Sequence, residues 1–77
     1  MERSKLVSMA NQVAQAFRLQ ADPAALTADH LRSFWSPAMR RALVELADVG
    51  GPGLEPHALE AARLLAAEST RPLGSRA

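Results

Sequence analysis

Two histidines, His30 and His57, are the residues best suited to acid–base or metal chemistry. Asp29 precedes His30, but adjacent residues on a helix do not face each other. Glu60 follows His57 by three positions and can reach it on a helix, with Glu55 two positions before. None of these spacings resembles a closed zinc site, which needs about four ligands at defined separations. Cysteine is absent, so there is no thiol nucleophile or thiol ligand. The pattern makes His30 a half-buried polar edge and His57 a first-turn surface residue. No catalytic, cofactor-binding or metal-binding residue is assigned.

Gly50, Gly51 and Gly53 cluster, but the GxxxxGK[ST] pattern of a phosphate loop is missing, as is a preceding strand. Arg32, Arg40 and Arg41, helped by His30, form the one positive cluster. Helices on either side of Trp35-Ser36-Pro37 would outline a helix-turn-helix. The second of them, AMRRALVELADVG, offers apolar residues and acids after Arg41, with no Asn, Gln or Lys to read base edges. Nine Lys+Arg against eight Asp+Glu leave a net charge of +1, short of the basic stripe that nucleic acid requires. No nucleic-acid partner is expected.

Asn11 lies one residue past Ala10, beside an apolar stripe. It is either a boundary amide facing solvent or an amide that must find a backbone group on a partner chain. Phe34 and Trp35 are two of only three aromatic residues. Neighbouring rings on a helix diverge by a quarter turn or more. One can fill a core while the other stays accessible, and the expected division is Phe34 inside and Trp35 at the boundary.

The elements that position these groups all read as helices. Leu6, Ala10, Val13 and Phe17, widened by Met9 and Ala16, form one face of a helix over residues 4–19, with Ser4 as N-cap. Asp22-Pro23 is a start signal for a second helix carrying Leu26, His30, Leu31 and Phe34 and ending near Trp35. Ser36-Pro37 repeats the device for a third, with Met39, Leu43, Leu46 and Ala47 on one face and Val44 beside it. Gly50-Gly51 stops it. GGPGLEP is a loop. Pro56 opens a fourth helix with Leu59, Ala62, Leu65 and Ala66 in register.

The expected fold is all-α: a small bundle of three to four short helices joined by tight Pro/Gly turns. Residues 1–70 form a single helical domain, and 71–77 a disordered tail. Seventy-seven residues make a thin core, and without disulfides a partner chain is a natural source of stability. Isoleucine and tyrosine are absent and valine is modest, which disfavours strands. Apolar runs are far short of the ~20 residues needed to span a bilayer, so no membrane role is expected. No charged segment leads into a long apolar stretch, which disfavours a secretory signal and favours the cytoplasm.

Three blocks carry a family resemblance: KLVSMANQVAQAF (5–17), HLRSFWSPAMRRAL (30–43) and GGPGLEPHALEAARLL (50–65). The middle block, with its His-Leu, Phe-Trp, Pro and Met-Arg spacing, is the most specific. Together they resemble the delta subunit of the soluble, molybdenum-containing, NAD-dependent formate dehydrogenases. The chain departs from that pattern at Ala16, where a second aromatic is usual, and at Ser36, where an acid is common.

The resemblance implies an accessory subunit with no cofactor of its own. The large subunit of such enzymes holds the molybdopterin cofactor and iron–sulfur clusters, and other subunits hold FMN and bind NAD. The implied role is docking on that large subunit to stabilise or assemble the complex, or a dissociable chaperone role in molybdenum-cofactor insertion. Within it, Trp35, Met39 and Arg40 are the first expected partner contacts, followed by His30, Arg41 and Asn11.

Overall fold

A computed structural model describes residues 2–70, excluding the side chains of Ser69 and Thr70. The tail expected over 71–77 lies outside the described residues. The described residues form four helices: α1 (Arg3–Ala16), α2 (Pro23–Phe34), α3 (Pro37–Asp48) and α4 (Pro56–Thr70). The all-α expectation holds, and three of the four helices begin at the expected proline.

Helix starts follow local chemistry. The Asp22 carboxylate accepts from the Ala25 N–H at 3.3 Å, and the Ser36 hydroxyl accepts from the Met39 N–H at 3.2 Å. Each satisfies a first-turn donor that the helix leaves unpaired. At α1 the expectation is corrected. Glu2, not Ser4, occupies the N-cap position without a side-chain cap bond, and the Ser4 hydroxyl donates to the Glu2 carboxylate. Helix α1 also ends at Ala16, three residues early, in a turn closed by the Gln20 N–H on the Phe17 carbonyl.

The end of α3 shows why two glycines stand there. The Gly51 N–H reaches the Leu46 carbonyl and the Gly50 N–H reaches that of Ala47, a Schellman pair that satisfies the last carbonyls. Gly51 has φ +62, and a Cβ on it would lie 2.5 Å from Leu59 Cδ1. Both backbone hand and space require glycine at that position.

Helix α4 is central and packs against all three others, most extensively against α2. Its buried face is Ala58, Ala61, Ala62 and Leu65, and that of α2 is Ala24, Thr27, Ala28 and Leu31. Small side chains on both helices allow the two axes to approach closely. Leu6, Ala10 and Ala14 of α1 and Leu43, Leu46 and Ala47 of α3 close the core, with Met39 and Val44 packed at its edge.

The division expected at Phe34-Trp35 is reversed. Trp35 is 8% exposed and belongs to the core, whereas Phe34 is 75% exposed. Ala24, Ala28, Leu31 and Trp35 recur at i, i+4, i+7 and i+11 and share one face of α2. Leu26, His30 and Phe34 form a second series about a third of a turn away. The expected stripe took the bulkier series as core. The helix buries the series that begins with alanines, because α4 offers an alanine face to meet it. Trp35 fills the corner beyond. It has turned to extended backbone (φ −89°, ψ 145°), as has Ser36 (φ −67°, ψ 156°), the residue that Pro37 holds out of the α region.

Candidate partner-docking surface

The corner between α2 and α3 is held by arginines acting internally. Arg32 Nε and Nη2 donate to the two carboxylate oxygens of Glu68 at 2.9 and 2.5 Å, and Nη1 donates to Asp29 at 2.7 Å. This paired fork raises the Arg32 pKa, chiefly through the hydrogen bond to Glu68. Arg40 Nη1 donates to the Arg32 carbonyl at 2.6 Å. That carbonyl is among the last four of α2, which have no partner inside the helix. The expected positive cluster is therefore dispersed. Arg32 is neutralised by two carboxylates and Arg40 caps a helix end. Arg41 is exposed, and its side chain makes no ion pair or hydrogen bond among the described residues.

Asn11 is partly buried and finds its hydrogen-bond partners within the chain. Its amide Nδ2 donates to the Gly53 carbonyl at 2.9 Å, and its Oδ1 accepts from the Glu55 N–H at 2.9 Å. The side chain clamps the α3–α4 loop onto α1, with both ends of the amide used within the chain.

His30 is partly buried, with its ring 4.7 Å from that of Phe34 and 6.2 Å from that of Phe17, the latter pair edge-to-face. The half-buried reading of His30 holds in an aromatic setting. His57 is partly buried in the first turn of α4, rather than fully on the surface. Among the described residues, no three His, Asp or Glu side chains converge as a metal group would need. Met39 is half-buried against the core.

Three of the expected contact residues are thus occupied inside the fold: Trp35 by burial, Asn11 by the loop, Arg40 by a carbonyl. Another set stands outward. Leu26, His30 and Phe34 lie one turn apart along α2, with Phe17 against His30, giving an apolar and aromatic stripe on the surface. Residue size hid this stripe from sequence reasoning. The signal that reveals it is the competing register 24, 28, 31 and 35. On another side, a cleft of about 470 Å³ between α1 and α3 is lined by Arg3, Leu6, Ala42, Glu45, Leu46 and Val49. No described helix is long and apolar enough to cross a membrane.

The model of one protein family, the NADH-dependent formate dehydrogenase delta subunit FdsD, matches residues 5–62, about three quarters of the chain. The chain belongs to the formate dehydrogenase delta subunit family. The delta subunit match runs from the first turn of α1 into α4. It takes in the Asn11 clamp, the stripe and the α2–α3 corner. No curated protein and no solved structure matches the chain.

Proposed function

We propose that this delta subunit is a non-catalytic accessory chain of a cytoplasmic NAD-dependent formate dehydrogenase. It docks on the large catalytic subunit and stabilises or assembles the complex. In this reading the chain binds no cofactor. The molybdopterin, iron–sulfur clusters and FMN reside in its partner subunits. The family match over residues 5–62 carries the proposal. Two further observations support it. Arg32 and Arg40 at the α2–α3 corner are engaged in holding the fold, and an aromatic stripe is left uncovered in the isolated chain.

The test is purification of the tagged chain from its native host, followed by an assay of formate-dependent NAD reduction and of subunit ratio. The expected result is recovery of active enzyme with the chain at a fixed ratio. Recovery only with cofactor-free large subunit would assign the chain to maturation instead. Recovery without formate-oxidising activity or large subunit would overturn the reading.

A further inference from the structure

We propose that the Leu26–His30–Phe34 face of α2, together with Phe17, is the docking surface, and that its occupant is a carboxylate-edged apolar recess on the formate dehydrogenase large subunit. The proposal rests on the accessory-subunit reading above and deepens it by naming the face and the chemistry that receives it. Phe34 stands 75% exposed at the end of α2, and Leu26 is 37% exposed two turns earlier. Between them His30 is held by rings on either side, so the stripe is a preformed ridge. Ordering costs at an interface fall when the contact side chains are already fixed.

Shape and area identify the occupant. The stripe offers roughly 300–400 Å² of apolar surface, since three of its four side chains are largely covered. A standard interface needs about 800 Å² from each partner, about a sixth of the 5009 Å² this chain exposes. Two copies meeting stripe to stripe fall short of that. A larger protein with a concave site can surround the ridge and take in its flanks.

Charge adds the edge of the recess. Asp29, beside the stripe on α2, shares Arg32 with Glu68. Arg18, next to Phe17 in the chain, is exposed and has no ion pair among the described residues. Asp22, the N-cap of α2 one turn before Leu26, is likewise in no ion pair among the described residues, so the uncompensated positive charge lies at the Phe17 end of the ridge, where a carboxylate on the partner complements Arg18.

The experiment uses the complex purified through the tagged chain, with three variants beside the wild type. F34S should keep its helical circular dichroism and melting temperature while retained large subunit falls about tenfold or more, as for a central interface aromatic. R18E should lower retention further at low salt than at high salt. V49S removes an exposed apolar residue at the α1–α3 cleft instead, and should leave retention unchanged. Normal retention of F34S, or loss with V49S in its place, overturns the face while leaving the subunit reading intact. Failure of the wild type to retain any large subunit overturns the subunit reading, and the face falls with it. A wild-type mass that doubles with concentration, and stays monomeric in F34S, would make the occupant a second copy and overturn the proposal.

Discussion

Trp35 carries the largest side chain of the core, and its replacement tests the corner directly. Trp35→Ala leaves a void where α2 turns into α3. The expected loss is about 3–5 kcal/mol of unfolding free energy, read from urea denaturation. A variant that stays as stable as the wild type would show the ring to be dispensable for packing. Thr27 presents the opposite case. Its hydroxyl is fully buried on the α2 face and has no hydrogen-bond partner among the described residues. A buried hydroxyl without a partner forfeits about 1–3 kcal/mol of hydration. Thr27→Val keeps the branched shape and removes that deficit. Thermal unfolding should show a gain of about 1 kcal/mol. A loss instead would mean that the hydroxyl is hydrogen-bonded in solution. These two residues show how a core this small joins one oversized ring to a row of small side chains.

Between elements, the Asn11 amide is a polar tie across a long separation, linking α1 to residues 53 and 55. Asn11→Asp preserves the acceptor for the Glu55 N–H but puts a second oxygen where Nδ2 donated to Gly53. The ionised carboxylate then faces a carbonyl. The expected loss at pH 7 is about 1–3 kcal/mol. It should shrink on acidification, because the protonated carboxyl can donate to that carbonyl again. Melting curves at neutral pH and at pH 4 check the sign, and a loss that grows toward pH 4 would refute it. Elements of this kind were only partly legible in sequence. Prolines, caps and glycines act within a few residues, so the starts of α2, α3 and α4 and the stop at Gly50-Gly51 could be read from the chain alone. The buried face of α3 also followed from spacing, whereas α1 buries Ala14 and exposes the expected Ala16, and α4 adds Ala58 and Ala61 to the expected Ala62 and Leu65 and leaves Leu59 and Ala66 only partly buried. The face of α2 did not follow from spacing, because two registers coexist there and the choice between them is made by the alanines of α4, thirty residues away. Asn11 was conspicuous as an amide beside an apolar stripe, but its partner groups are backbone atoms of a distant loop that no side-chain pattern marks. The arginine cluster misled for a related reason. Arg32 and Arg40 are close in sequence, yet Glu68, which neutralises Arg32, comes from α4.

As a whole, the molecule is four short helices around a largely alanine core, and a binding partner should contribute visibly to its stability. A partner that binds only the folded chain adds about 2.7 kcal/mol when present at a hundred times its Kd. For a domain of this size each kcal/mol corresponds to about 4–8 °C in Tm. The chain should therefore melt roughly 10 °C or more higher in the presence of large subunit, followed by a label placed on this chain. An unchanged melting temperature at saturating large subunit would separate the chain from that partner. F34S should show a small fraction of the shift while melting like the wild type on its own, because the ring it removes is solvated in the free chain. Site and fold are thus separable: the α2 register that hides Trp35 from solvent turns Phe34 outward.

Pro23, Pro37 and Pro56 each stand at the first position of a helix. They can be read through the chain that has not yet folded. A pyrrolidine ring fixes φ near the helical value before any helix exists, and the first position needs no N–H. Each proline therefore removes conformations from the unfolded ensemble without straining the native one, an effect of about 0.4–1 kcal/mol per site. It also lowers the entropic barrier to forming the first helical turn. Three helices of this chain begin at points already restricted on the nascent polypeptide. Part of their stability is thus invisible in any inventory of folded-state contacts, because it lies in disorder that the unfolded chain never had.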